Sequence, residues 1–520
     1  MTTQLVIAPL LVALVTAVCT LPLRRWTRAQ QAVSLLGVLA YAVAVAAQVS
    51  LVLPDRTVTY QLGDWPAPFG ITLVADPLSA FMLSMAAVVA VPSLVASIRY
   101  LDEFGQQLSY HTLFHLMLVG VTGSFLTGDI FNLFVWFEVM LMSSYVLVVF
   151  FSGPDQTLAT MKYVALNLVG SAVMLFAIGG IYAVTGTLNM ADLARRLADP
   201  SAYSFDPAPV LGLSALLFVV FALKAGLVPF HFWVPSAYQA APNPVAAMLA
   251  GVVKKVGVYA FVRLYFTVFA AASLDLSLPL VSGSSPLDFF GPVFLLLAAS
   301  SVVFGGLAAV DSDSLEELLA YSSVGQVGFI VLPLAVGAAV PSVRPLAIAA
   351  TLVYALNHAL AKSLLFLVTG VVRDGTGTTR FADLGGLTGE APVVSAAFFV
   401  GGLSLVGIPP LTGFFAKFLV FNAAATAGAV PALAVALGGA LLTIAYVSRA
   451  WNRAFWGAET PAVDALRTDS VQVATVAVLA LVVVLVGVGF DPVYRFAEHA
   501  AATALDRGQY VDAVLGGETT

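Results

Sequence analysis

The stretch Lys224-Ala-Gly-Leu-Val-Pro-Phe-His-Phe-Trp-Val-Pro-Ser-Ala-Tyr-Gln-Ala-Ala-Pro242 reads as a membrane helix broken part-way along. Its apolar run covers residues 209–238, and Pro229 interrupts it. Proline removes a backbone donor and clashes with the preceding turn, so a helix opens there. Within a bilayer such an opening is tolerated only where it lines protein or water. A second break, Gly407-Ile-Pro-Pro-Leu-Thr-Gly413, carries Pro409 and Pro410 inside the run 391–422. Two ordinary proline kinks would give the same pattern. Two interrupted spans in matching positions of two five-helix units read instead as an inverted-repeat transporter.

The chain around these breaks is built for lipid. Of 520 residues, 60% are hydrophobic and 10% charged, whereas a soluble domain carries about a quarter charged residues. With 22 basic and 28 acidic side chains there is too little charge to coat a soluble particle of this size. At roughly 20 residues per crossing, hydropathy predicts about fourteen spans. They fall near 4–23, 30–53, 77–98, 109–126, 129–150, 157–184, 209–238, 242–270, 289–309, 315–337, 345–371, 391–422, 430–455 and 470–490. The fold class is therefore an all-α polytopic membrane protein.

The largest connections are 189–209 and the tail 491–520, whose first part predicts an interfacial helix. Neither is long enough for a soluble catalytic domain. A net charge of −6 excludes a basic nucleic-acid surface. The single cysteine, Cys19, excludes an internal disulfide and a cysteine-held cluster. Arg24, Arg25 and Arg28 follow the first apolar run, which lacks a basic leader and so reads as a retained span. An even span count puts both termini on one side. The loops opposite them hold nine arginines against seven, Arg263 among the seven, and that excess places the termini outside.

The basic residues are sorted by type. All six lysines, Lys162, Lys224, Lys254, Lys255, Lys362 and Lys417, fall within predicted spans, while nearly all sixteen arginines fall in loops or at span ends. A lysine inside a span costs several kcal/mol unless paired or hydrated. Snorkelling to an interface accounts for Lys162 and for one of the adjacent Lys254 and Lys255. It does not suit Lys224 and Lys417, each near mid-span and close to a break. A desolvated ammonium can give up its proton and a guanidinium cannot, so intramembrane lysines are candidate proton relays.

Glu138 is the one acid deep in a span, and Lys224 is its natural partner in a switchable pair. Asp76 directly precedes Pro77 and reads as a helix cap. His358 and Lys362, four apart, share a helical face and suit a relay step. His231 sits at the first break, a secondary candidate together with Lys254. His111 and His115 share a face near a span start and read as interfacial packing. No phosphate loop, hydrolytic triad or zinc spacing stands out, so neither a metal site nor a cofactor is expected.

The run Thr127-Gly-Asp-Ile-Phe-Asn-Leu-Phe-Val-Trp-Phe-Glu-Val-Met-Leu-Met-Ser-Ser-Tyr-Val-Leu147 resembles the fifth helix of the D subunits of Mrp-type multisubunit sodium/proton antiporters. The quoted stretch 224–242 is similar to the signature shared by the antiporter-like subunits of respiratory complex I. So are Leu318-Leu-Ala-Tyr-Ser-Ser-Val-Gly-Gln-Val-Gly-Phe329 and Gly407-Ile-Pro-Pro-Leu-Thr-Gly-Phe-Phe-Ala-Lys-Phe418. One departure stands before Leu318: Asp311-Ser-Asp-Ser-Leu-Glu-Glu317 occupies a place where many relatives carry a basic pair. That touches the rim and leaves the axis intact.

The resemblance implies two inverted five-helix repeats with discontinuous helices seven and twelve, about fourteen helices in all, and a central polar axis. It implies a three-helix segment over 1–103, repeats over 104–270 and 286–457, and a last helix with tail over 458–520. By motif, Glu138 and Lys224 look like the coupling pair and Lys255 like the central lysine. His358 and Lys362 look like the relay, and Lys417 like the terminal lysine. The expected function is proton translocation in exchange for sodium in the bacterial cell membrane, with other membrane subunits as partners. A proton-pumping subunit of a redox complex shares every one of these residues, and a nontransporting scaffold is the third reading.

Overall fold

The computed structural model describes residues 3–53, 56–278 and 281–516. The chain is helical throughout its membrane part. In order it forms α1 (Gln4–Thr20), α2 (Thr27–Val52), α3 (Pro77–Tyr100), α4 (His111–Leu126), α5 (Ile130–Val148) and α6 (Pro154–Thr185). Then come α7 (Ala208–Ala240), α8 (Asn243–Ala271), α9 (Pro286–Asp311), α10 (Leu315–Ala339) and α11 (Arg344–Thr376). A divided α12 (Pro392–Val406 and Thr412–Thr426), α13 (Val430–Ala450) and α14 (Ser470–Val488) come next. Two tail helices, α15 (Phe490–Leu505) and α16 (Arg507–Leu515), end the described chain.

Among the described residues eleven helices are long and apolar enough to cross a membrane. α1, α4 and each half of α12 are shorter. α8 is buried along its whole length, with α10 and α11 almost as enclosed. These three form the centre, and α2, α6, α13 and α14 turn most of their surface outward.

Both breaks are built alike. The first half of α7 ends at Ala225, where Gly226 takes a left-handed φ of 74°. The first half of α12 ends at Val406, where Gly407 takes 93°. A side chain at either position would be strained, so glycine closes each half-helix. In each, the next residue's N–H reaches back five residues: Leu227 to the Ala222 carbonyl at 3.0 Å, Ile408 to the Leu403 carbonyl at 3.1 Å. α7 and α12 lie five helices apart in an alternating chain, an odd number, so they run in opposite senses.

Several expectations are corrected here. Arg263 is no loop residue: it lies inside α8, fully buried, and its guanidinium is paired with Asp76. Removing it from the smaller loop count leaves nine arginines against six. Asp76 does cap α3, its Oδ1 accepting from the Ser79 N–H at 2.8 Å, and holds Arg263 with its other oxygen. Segment 189–209 contains the helix Met190–Ala198, and the loop between α2 and α3 contains an antiparallel hairpin, β1 (Val58–Gln61) with β2 (Thr72–Ala75).

The tail does more than lie at an interface. α15 packs on α3 and α11, with Phe496 edge-on to Phe81 at 5.2 Å. Residues 517–520 of the tail lie outside the described residues. Cys19 is exposed on the outer surface of α1, and Lys162 is exposed on α6.

Candidate functional site

Five of the six lysines are buried: Lys224, Lys254, Lys255, Lys362 and Lys417. None makes an ion pair among the described residues; each is held by carbonyls, hydroxyls, amides or an imidazole.

The outer end of this group is Glu138 on α5, half-buried on a face shared with the exposed Phe131, Met142 and Val146. Its expected partner does not touch it. The Ser171 hydroxyl donates to Glu138 Oε1, and Lys224 Nζ donates to Asn167 Oδ1 at 3.1 Å. Asn167 and Ser171 stand four apart on α6, so one helical face carries both. In place of the expected direct pair there are two contacts on one face of α6, Glu138 with Ser171 and Lys224 with Asn167. The reason is packing: α6 inserts between the two charges and supplies an amide and a hydroxyl.

Lys254 and Lys255 were expected to divide, one to an interface. Both are fully buried instead. Just before them, Leu249–Val253 is a widened π-type turn, which inserts an extra residue and rotates the residues after it. Lys254 is turned toward the α7 break, 3.6 Å from where a Cβ at Gly226 would stand, and donates to the Ser323 carbonyl of α10 at 3.2 Å. Lys255 turns the other way, to the Ala250 carbonyl and to His358 Nδ1 on α11.

Lys362, one turn beyond His358, donates to the Leu319 carbonyl at 3.0 Å and to the Ser322 hydroxyl on α10. Four residues on, Gln326 continues the line. Its Oε1 accepts from the Tyr354 hydroxyl at 2.7 Å and its Nε2 donates to the Tyr446 oxygen at 2.7 Å. Phe329 stacks on Tyr354 and lies under the Lys417 ammonium, 5.3 Å from Nζ. Lys417 then donates to the Val406 carbonyl at 2.9 Å, a group the α12 break leaves without a helical partner. At the α7 break the Leu223 carbonyl accepts from the Gly226 N–H at 3.0 Å and from Trp233 Nε1 at 2.8 Å.

Thus Lys255, His358 and Lys362 are brought together, while Lys417 is reached through uncharged residues. His231 is buried at the α7 break, its ring 4.6 Å from those of Phe232 and Phe304, and its Nδ1 has no protein partner. Asn167, Ser171, Ser322, Gln326, Tyr354, Asn357 and Ser404 were missed, the last two sharing a 2.7 Å hydrogen bond beside the α12 break. Only Tyr354 carries a signal in the sequence, standing four residues before His358 and eight before Lys362. Also missed was the polar setting of His111 and His115. Both are fully buried around Ser34, not at an interface, because α2 places that hydroxyl between them.

The acidic departure at 311–317 forms a capped, paired rim. Ser314 caps α10, Glu316 pairs with Arg373 at 2.8 Å, and Asp313 with Arg449 at 3.7 Å. Among the described residues no group of three or more His, Cys, Asp or Glu is placed to hold a metal ion.

Residues 127–443 match the family described as NADH:quinone oxidoreductase/Mrp antiporter, transmembrane. The chain is 35% identical over 458 residues to the D subunit of the Na(+)/H(+) antiporter of Alkalihalophilus pseudofirmus, covering 88% of each chain. It is 36% identical over 428 residues to the N subunit of the NADH-quinone oxidoreductase of Desulforudis audaxviator, covering 80% of each. A chain in the solved Mrp complex from Dietzia sp. superposes with a TM-score of 0.87 at 28% identity, covering 99% of both. By these matches, which take in both helix breaks and the lysine-bearing helices between them, the chain belongs to the NADH:quinone oxidoreductase/Mrp antiporter transmembrane family.

Proposed function

We propose that this polytopic bacterial membrane protein is the proton-translocating D-type subunit of a multisubunit sodium/proton antiporter, working beside other membrane subunits of the complex. Its transported ions are H+ and Na+, and its surroundings are the lipid bilayer. The observation that carries this is the Lys255–His358 contact, which joins the helix that closes the first repeat (104–270) to the helix at the middle of the second (286–457).

Lys254, Lys255, His358 and Lys362 occupy one buried centre that holds no carboxylate among the described residues. Coulomb repulsion in a low dielectric keeps such a group from being protonated throughout. Fewer protons than sites means that each proton has somewhere to go, and the titration belongs to the cluster. Glu138, held by Ser171, and Lys224, held by Asn167, form the coupling end, with Glu138 facing the outer surface where a neighbouring subunit would dock. Lys417 is the terminal site at the α12 break. Replacing Glu138 or Lys224 with alanine is expected to abolish antiport in vesicles while the complex still assembles. Near-normal transport by assembled variants would sink the reading.

The relative named as an NADH-quinone oxidoreductase subunit supports a second reading, a proton-pumping subunit of a redox complex. Isolation of the native complex separates the two. Small all-membrane partners support the antiporter, and flavin and iron–sulfur partners support the alternative.

A further inference from the structure

The buried histidines of the N-terminal segment stand apart from the lysine axis. We propose that the seam between α1, α2 and α4 is a hydrated polar file that carries protons along a second route, with His111, Ser34 and His115 as its relay.

Every seventh residue of α2 that faces this seam is polar: Thr27, Ser34, Tyr41 and Gln48, all buried. Seven residues are two turns, so the four stand in line, about 10.5 Å apart by helical rise. Gln107 Nε2 donates to the Thr27 hydroxyl at 3.0 Å, and Gln48 Nε2 to the Val6 carbonyl at 3.4 Å. Tyr41 and Thr122 share a 3.0 Å hydrogen bond. Ser34 Oγ lies 2.9 Å from His111 Nδ1 and 2.9 Å from His115 Nε2.

The hydrogens of the relay are set from its outer end. Gln106 Nε2 donates to the Ile98 and Leu101 carbonyls, which fixes the amide so that Oε1 accepts from Gln31 Nε2 at 2.7 Å and from His111 Nε2 at 3.2 Å. A carbonyl only accepts, so neutral His111 carries its hydrogen on Nε2, and its Nδ1 accepts from the Ser34 hydroxyl. The Ser34 oxygen in turn accepts from His115 Nε2. His115 Nδ1 is left a bare acceptor, buried and without a protein partner. A proton that binds there moves on with every atom accounted for. The Nε2 hydrogen of His115 passes to the Ser34 oxygen, the Ser34 hydroxyl hydrogen passes to His111 Nδ1, and His111 becomes the imidazolium.

Among the described residues three buried acceptors in the seam lack protein partners: Gln30 Oε1, His115 Nδ1 and Gln48 Oε1. They lie at three depths. Buried polar atoms without a protein partner are met by water, and waters there would join layers that are too far apart to touch. The titratable groups facing the relay are the two imidazoles, Tyr110 with its ring 5.8 Å from His111, and Tyr41 two turns deeper. Arg24 and Arg25 in the loop before α2, and Arg28 in its first turn, are exposed near the Gln106 end of the relay.

Polar residues between membrane helices also act as dry adhesive, and the test separates the two roles. In the assembled complex, with Cys19→Ser as background, Ser34→Cys and Thr122→Cys are expected to react with aminoethyl methanethiosulfonate far faster than Leu334→Cys, a fully buried position on α10. Equal, slow reaction at all three would overturn the hydrated file. His115→Gln and Ser34→Ala are expected to shift the pH profile of antiport, with Ser34→Thr restoring it. Unchanged profiles in assembled variants would overturn the proton-carrying role. This transport arm rests on the function proposed above and the labelling arm does not. An unsubstituted complex without antiport would overturn that function and leave labelling to judge the file.

Discussion

Lys255 and His358, 103 residues apart in the chain, are hydrogen-bonded to each other at the centre of the bundle, Nζ to Nδ1. The bond couples α8 to α11, and His358 Nε2 on the far side of the ring has no protein partner. One nitrogen thus faces a lysine and the other is free to meet water. Substituting either residue leaves the other buried with an unmet polar group. His358→Ala and Lys255→Ala are each expected to lower antiport about tenfold or more, since each 1.4 kcal/mol of lost stabilisation is tenfold in rate. The double variant should be little worse than either single. Additive losses, measured in vesicles at equal complex abundance, would show that the two act separately.

The two contacts on α6 make a prediction about uncharged residues. Asn167→Leu and Ser171→Ala remove the groups that hold Lys224 and Glu138. Both variants should assemble and transport poorly, with the pH optimum of antiport displaced. If both transport normally, the coupling runs directly between the charges and the two contacts are scaffolding.

Lys417 offers a test of chemistry against charge. It donates to the Val406 carbonyl at the α12 break, and an arginine there keeps both the charge and the donor. A guanidinium does not deprotonate in a protein. Lys417→Arg is therefore expected to fold and assemble while losing antiport. Full activity in that variant would mean that Lys417 supplies only a fixed charge or a cap.

Asp76 and Arg263 predict stability. Removing one partner of a buried pair strands the other charge, at a cost of about 3–5 kcal/mol. Arg263→Met alone should lower the melting temperature of the detergent-solubilised protein markedly, and Asp76→Leu with Arg263→Met should recover part of the loss. A double variant that is worse than either single would show that capping of α3, not the ion pair, dominates.

Asp129, in the turn before α5, predicts a pH dependence. Burial pushes its carboxyl up to about 6, opposed by N–H bonds from Asn132 and Phe131. Raised above its unfolded value, the group favours the folded state at low pH, and that contribution is lost as pH rises through about 6. Asparagine caps a helix about as well as aspartate. Asp129→Asn should therefore gain more thermal stability relative to the unsubstituted protein at pH 8 than at pH 5. A constant difference across that range would refute the assignment.

Much of this architecture is legible in the sequence. Apolar length marks where helices run, and glycine with proline marks both breaks. The sorting of lysine from arginine marks Lys224, Lys255, Lys362 and Lys417 as residues kept inside at some cost. Less legible are the groups that hold those charges. Asn167, Gln326 and Tyr354 are ordinary residues in a hydropathy profile, and Arg263 reads as a span-end charge until Asp76 is seen beside it.

The sequence by itself determined depth, since hydropathy and spacing report how far along a helix each residue lies. Only the tertiary structure decided direction. Which way a side chain points depends on how helices pack and on local changes of winding, and neither leaves a mark in composition. The π-type turn at Leu249–Val253 sends Lys254 to the α7 break and Lys255 to His358. The insertion of α6 keeps Glu138 and Lys224 apart. A buried charge announces that it needs a partner, and the fold chooses which one.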